Sequence, residues 1–171
     1  GLDKPIAGSI TLMDGEKISD ANMATNRGLG YVSKNRDQEA LMLRASIKDN
    51  IVLPSIRKLK KMGLVFRKTE KAFSENLVNE LRIKCNSIED SVQHLSGGNK
   101  QKVSFGKWIG KSSDILILDC PTRGIDVGVK TTMYQLIYKL KKEGKSILLI
   151  SEELSELIGM SDRIIILKAG R

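Results

Sequence analysis

An α/β fold built on a parallel sheet is predicted by three features of this 171-residue chain. The apolar runs at residues 115–118 and 146–150 have the length and near-continuous hydrophobicity of strands buried on both faces. Helical patterns lie between and after them, so strand and helix alternate through the C-terminal half. Aromatic residues make up only 4% of the chain, which favours an aliphatic core over a β-sandwich.

The elements follow in order. Residues 9–13 alternate in polarity and end at Asp14-Gly15, with Lys17-Ile18 beyond, which predicts a hairpin. Residues 29–32 read as a short apolar strand. From about residue 46 to 90 the pattern turns helical, with Phe73, Leu77 and Leu81 recurring at fourfold spacing among Lys and Glu. Residues 99–109 form a helix and 115–119 a buried strand. Val129, Met133, Leu136, Ile137 and Leu140 mark one apolar stripe of a further helix. Residues 146–150 are a second buried strand, followed by a short helix through Leu154 and Leu157 and a last strand over 163–168. This divides the chain into a core, residues 1–36 and 114–171, and an inserted helical subdomain, residues 37–113. No repeat or low-complexity segment interrupts it.

The formal net charge is +9. Its basic residues are distributed, with Arg57, Lys58, Lys60 and Lys61 in one group and Lys139, Lys141 and Lys142 in another. The second group closes a helix just before Gly144, where cations offset the helix dipole. No aromatic stacking pattern, zinc spacing or recognition helix accompanies the charge, so no nucleic-acid partner is expected. No apolar run has the length needed to cross a bilayer, and a membrane role is expected only by docking. Cys85 and Cys120 suggest no disulfide framework.

Chemistry concentrates at two places. Ser96-Gly97-Gly98 opens a helix, where unpaired N–H groups and the helix dipole together suit a phosphate oxygen. Asp119 ends a buried strand, a usual position for a carboxylate that supports phosphate-bound Mg²⁺.

Leu95-Ser96-Gly97-Gly98-Asn99-Lys100-Gln101-Lys102 and the later Asp119-Cys120-Pro121-Thr122-Arg123-Gly124-Ile125-Asp126 resemble the signature motif, Walker B strand and D-loop of ATP-binding cassette (ABC) ATPases. The likeness covers nearly the whole chain. It implies a P-loop NTPase-like core fragment with a parallel sheet, a small antiparallel N-terminal hairpin and an α-helical subdomain. Thr122-Arg123-Gly124-Ile125-Asp126-Val127-Gly128, Ser46-Ile47-Lys48-Asp49-Asn50-Ile51 and Gly159-Met160-Ser161-Asp162-Arg163 are similar to a narrower group. That group is the second, C-terminal ATPase domain of bacterial monosaccharide importers of the ribose, galactose and xylose type.

The resemblance implies ATP and Mg²⁺ as cofactors. Ser96, Gly97, Gly98 and Gln101 would contact ATP held by a second ABC ATPase domain, Asp126 would face that domain, and Asp119 would support Mg²⁺ through water. It also implies transmembrane permease subunits as partners, an extracellular sugar-binding protein indirectly, and a peripheral place on the cytoplasmic face of the membrane. Three positions depart from the pattern. Cys120 stands where the catalytic glutamate is usual, and a largely neutral thiol is a poor proton acceptor. Lys34 occupies the Q-loop position, where an ammonium repels a metal rather than ligating it. Glu152 replaces the switch histidine, and its charge repels a γ-phosphate.

No P-loop follows a strand and opens a helix. Gly144-Lys145-Ser146 has Lys139 where the leading glycine belongs, and the stretch 106–112 is one residue short. In the family the P-loop would lie just before Gly1, so the chain reads as a fragment of a two-cassette protein, expected by itself not to hydrolyse ATP. Two alternatives stand beside this reading: a degenerate cassette that only docks and dimerises, and an ATPase of the DNA-repair kind. The latter carries coiled coils or zinc modules near the signature, and this chain has neither.

Overall fold

A computed structural model describes residues 7–12 and 14–168. Three parallel strands form the sheet: β1 (Leu29–Val32), β2 (Ile115–Asp119) and β3 (Ser146–Ile150), in the order β1-β2-β3. Val32 pairs with Leu118 and Leu118 with Leu149, so the strands are in step at their carboxyl ends. Val32, Leu116 and Leu118 are buried on one face of the sheet; the other face, with Tyr31 and Leu148, is open. The expectation of strands buried on both faces therefore fails, and β3 has no buried residue.

The helices are α1 (Ala21–Asn26), α2 (Ile47–Val52), α3 (Ile56–Leu59), α4 (Arg67–Glu80), α5 (Gly97–Gly110), α6 (Val127–Lys142) and α7 (Leu154–Met160). Ser46 starts α2 by accepting from Asp49 N, and Ser96 starts α5 by accepting from Asn99 N, each satisfying an amide left over at a helix entrance. Lys139 and Lys141 in the last turn of α6 pair with Glu80 and Asp162, tying the helix to its surroundings. The N-terminal hairpin is minimal. Thr11 bridges Lys17 antiparallel, Gly15 takes φ +82°, and Met13 lies outside the described residues.

Two apolar clusters hold the structure together. One gathers Ile47, Ile51, Leu77, Leu81, Val92 and Val103 within the helical part; the other gathers Val32, Phe105, Leu116, Leu118, Met133 and Ile137 against the sheet. The α5 helix belongs to both, since Val103 faces the first and Phe105 the second. Its last residue lets α4 approach closely: a Cβ on Gly110 would stand 2.6 Å from Leu77 Cδ1 and 2.8 Å from Phe73 Cζ.

A second prediction fails. Residues 163–168 form no strand, and Ile165, Ile166 and Leu167 are exposed. Among the described residues β3 pairs only with β2, so residues 163–168 do not take up its open edge, and Leu148 and Ile150 lie exposed on the uncovered face of the strand. An apolar run becomes a strand only when a ladder takes up its N–H and C=O groups. The short helix also differs in character, for its buried residue is Glu156 and Leu154 is exposed.

Candidate functional site

Parallel strands all end on one side, so β1, β2 and β3 bring Lys34, Asp119 and Glu152 to the same edge of the sheet. Asp119 pairs across with Ile150 at the end of the ladder. Tyr31 of β1 donates its hydroxyl to Asp119 Oδ2 at 3.1 Å. Burial pushes the Tyr31 hydroxyl pKa up, so it stays a donor.

Cys120 follows in the left-handed region, with φ +45°. A side chain there costs about 1–2 kcal/mol. The conformation is held from both ends: Cys120 N–H donates to Ile150 O at 2.9 Å, and Cys120 O accepts from Arg123 N–H at 3.1 Å. Burial first, then the neighbouring Asp119 carboxylate, pushes the thiol upward. It is therefore protonated near neutrality and has no thiolate to offer as a base.

Lys34 and Glu152 find each other. Their side chains form an ion pair between the loop after β1 and the loop after β3. The hydrogen bond to Glu152 raises the Lys34 ammonium, and the same bond lowers the Glu152 carboxyl, with Arg123 adding to the second effect. Two positions that each depart from the family pattern thus compensate one another. A small cavity of about 50 Å³ lies beside Cys120, Thr122, Arg123 and Glu152. A larger one, about 560 Å³, opens between Lys84, Cys85 and His94, and none of the sequence-predicted site residues lines it.

The signature turn stands apart from this edge. Ser96 is exposed, and its Oγ accepts from Asn99 Nδ2 at 3.0 Å. Among the described residues the N–H groups of Gly97 and Gly98 meet no acceptor within the chain. Gly97 lies against Arg36, whose Nη2 would be 3.1 Å from an added Cβ. The Arg36 guanidinium in turn donates to the carbonyls of Arg123 (3.0 Å) and Gly124 (3.3 Å). Gly98 is pressed against Val129. Gln101, one turn on, is only 2% exposed and faces inward. Asp126 occupies the N-cap position of α6, exposed, without a side-chain capping bond.

Several participants were not singled out from the sequence. Arg36 joins the signature turn to the loop between β2 and α6 across 87 residues, a contact that local pattern cannot reveal. Asp37 pairs with Lys100 of α5 at 3.0 Å, reinforcing the same junction. Thr122 donates to the buried Glu156 at 2.7 Å and fixes the loop to α7. Tyr31 and Asp119 share a sheet face, which alternation along β1 could have suggested.

Among the described residues no three His, Cys, Asp or Glu side chains cluster to ligate a metal. Asp119, with one oxygen engaged by Tyr31, fits a hydrated Mg²⁺ that takes most of its ligands from water and phosphate.

Sequence comparison matches the ABC transporter family over residues 1–123. The ribose import ATP-binding protein RbsA of Bacillus subtilis (strain 168) is 44% identical over 173 residues, covering 100% of this chain and 35% of that protein. Its namesake in Streptococcus agalactiae serotype Ia is 42% identical over 172 residues, with the same coverage. The chain therefore spans about a third of the length of these relatives. The dimeric ATP-binding cassette MJ0796, solved in a post-hydrolysis state bound to ADP and Pi, superposes with a TM-score of 0.73 at 21% identity. That alignment covers 90% of this chain and 66% of the other, and it shows a shared fold. Profile match, relatives and cassette fold agree: this chain belongs to the ABC transporter family.

Proposed function

We propose that this chain is part of the second ATP-binding domain of a sugar importer and works chiefly by completing an ATP site held by a partner domain. Residues 37–113 form the helical subdomain that carries the signature turn, and 1–36 with 114–171 form the ATPase core fragment. The observation that carries this reading is the helix entrance at Ser96, with the Gly97 and Gly98 amides unpaired beside an exposed hydroxyl. Such an entrance binds phosphate oxygens through its free donors and its dipole. Ser96, Gly97 and Gly98 donate to the terminal phosphate of the partner's ATP, Gln101 supports the turn from behind, and Asp126 faces the partner across the junction that Arg36 braces.

The chain's own edge of the sheet has a different task. Asp119, steadied by Tyr31, would hold Mg²⁺, which when bound would supply the positive charge that offsets a phosphate there. Cys120 cannot accept a proton from water, and Glu152 is engaged by Lys34. This edge therefore binds nucleotide structurally and turns it over slowly. Opening and closing of the two domains is passed to transmembrane permease subunits at the cytoplasmic face of the membrane, with an extracellular sugar-binding protein delivering cargo. The names of the relatives support a pentose such as ribose.

Transport by the full-length protein tests the assignment. Loss of uptake with Ser96→Arg, and little loss with Asp119→Asn, is expected. Equal tolerance of both substitutions would leave only a docking role. Cys120→Glu should raise ATP turnover, and an unchanged rate would remove Cys120 from the explanation.

A further inference from the structure

The net charge of +9 is not evenly placed. Residues 53–68 contain six basic side chains (Arg57, Lys58, Lys60, Lys61, Arg67 and Lys68) and no acidic one. The same stretch exposes large apolar groups. Leu53, Ile56, Met62, Leu64 and Phe66 are all solvent-accessible, Met62 completely. Cores normally absorb such residues, and a run of them on a surface marks a contact.

The geometry makes this stretch a protruding tip. Lys61 and Leu64 exchange both backbone hydrogen bonds, at 2.8 and 3.0 Å, closing a two-residue turn. Met62 and Gly63 at its apex take φ +52° and +82°, the left-handed pair that a tight hairpin turn requires. Met62 stands at the apex of the turn, and Leu64 and Phe66, two residues apart on the segment that returns from it, are exposed behind it. Lys58 is partly occupied by Ser112 Oγ at 2.8 Å, and Arg57 by Asn26 Oδ1 at 2.8 Å. Among the described residues Lys60, Lys61, Arg67 and Lys68 make no ion pair.

We propose that the hairpin tip at residues 60–66 docks on an anionic lipid surface, with Met62, Leu64 and Phe66 entering the interface and the flanking cations resting among phosphate headgroups. A convex apolar tip ringed by cations is complementary to a bilayer, which is apolar beneath and negative at its face. Lysine and arginine stems lie along apolar surface while their charges stay with the headgroups. An acidic protein partner would match the charge, but it would need a groove to receive the protruding methionine. This inference goes beyond the proposed ATP chemistry and does not rest on it.

Vesicle co-sedimentation of the full chain tests it. Vesicles of phosphatidylcholine with roughly one-third phosphatidylglycerol should retain the protein, and pure phosphatidylcholine should not. Binding should fall in roughly 1 M salt, where charges are screened beyond about 3 Å. Lys60→Gln with Lys61→Gln should weaken it about 25-fold, about fivefold for each lysine. Met62→Ser with Leu64→Ser should weaken it about tenfold or more through the lost apolar insertion. All four side chains are exposed, and an unchanged thermal midpoint verifies folding. Equal binding to both vesicle types, none to either, or indifference to both double variants overturns the proposal. Retention on poly-glutamate beads without vesicle binding also overturns it, in favour of an acidic protein.

Discussion

Replacing Gly98 with alanine probes the contact on which the signature turn rests. A Cβ there would lie 2.9 Å from Val129 Cγ1 and 3.0 Å from Cγ2, where ordinary contact begins near 3.4 Å. Valine is branched at Cβ and held to few rotamers, so its methyl groups cannot swing away. The start of α5 must then move from α6 by about half an ångström. Overpacking of this sort costs about 1–3 kcal/mol. Alanine returns up to about 1 kcal/mol through its better helix propensity, less in a first turn. The net expectation is a loss of about 1–2 kcal/mol, or about 2–8 °C in the midpoint for a chain of this size. Urea and thermal denaturation read it directly. Gly128→Ala in the first turn of α6 is the control, for its Cβ meets nothing within 4 Å, and it should stabilise by about 0.4–1 kcal/mol. Combining Gly98→Ala with Val129→Ala removes both clashing methyl groups, and the double variant should be less destabilised than the sum of the singles by about 1 kcal/mol or more. Additive effects, or a neutral Gly98→Ala, would refute the proposed close packing of the signature turn.

Further outcomes can be measured independently. Met133 is fully buried beneath the sheet, and Met133→Ala should cost about 2–5 kcal/mol in denaturant titration. The Lys34–Glu152 pair gives a pH signature. Because Glu152 is lowered, its contribution is present above the usual carboxylate range and fades as pH falls below it; because Lys34 is raised, its contribution persists up to the usual lysine range and fades above it. The stability difference between the wild type and Glu152→Gln should therefore be flat from about pH 5 to 10 and shrink on either side, and a difference that peaks at pH 4 would contradict the pairing. Cys120, buried and raised, should react with maleimide much more slowly at pH 7 than in denaturant; rapid native labelling would mean that the thiol is open and ionised.

Much of this protein is legible in its residues because its signals are local. The runs at 115–119 and 146–150 became β2 and β3, and the spacing of Met133, Ile137 and Leu140 became the buried face of α6. Hairpin chemistry at Asp14-Gly15 and the Ser96 cap also need only neighbouring atoms to act. The candidate site was found by its motifs, and the backbone then brought Lys34, Asp119 and Glu152 to one edge because parallel strands end together.

What the sequence alone could not decide depends on partners far along the chain. Residues 163–168 have the apolar pattern of a strand, yet a strand exists only beside another strand, and in this structure they do not pair with the open edge of β3. Lys34 and Glu152 look like two separate defects until the fold sets them in contact, 118 residues apart, where each charge answers the other. Arg36 is an unremarkable loop cation until the carbonyls of Arg123 and Gly124 come within reach. Composition and periodicity determine how most segments coil, because local hydrogen bonding and side-chain spacing act within a few residues. Tertiary structure decides which charges meet and which edges stay open, because those energies exist only when distant segments touch.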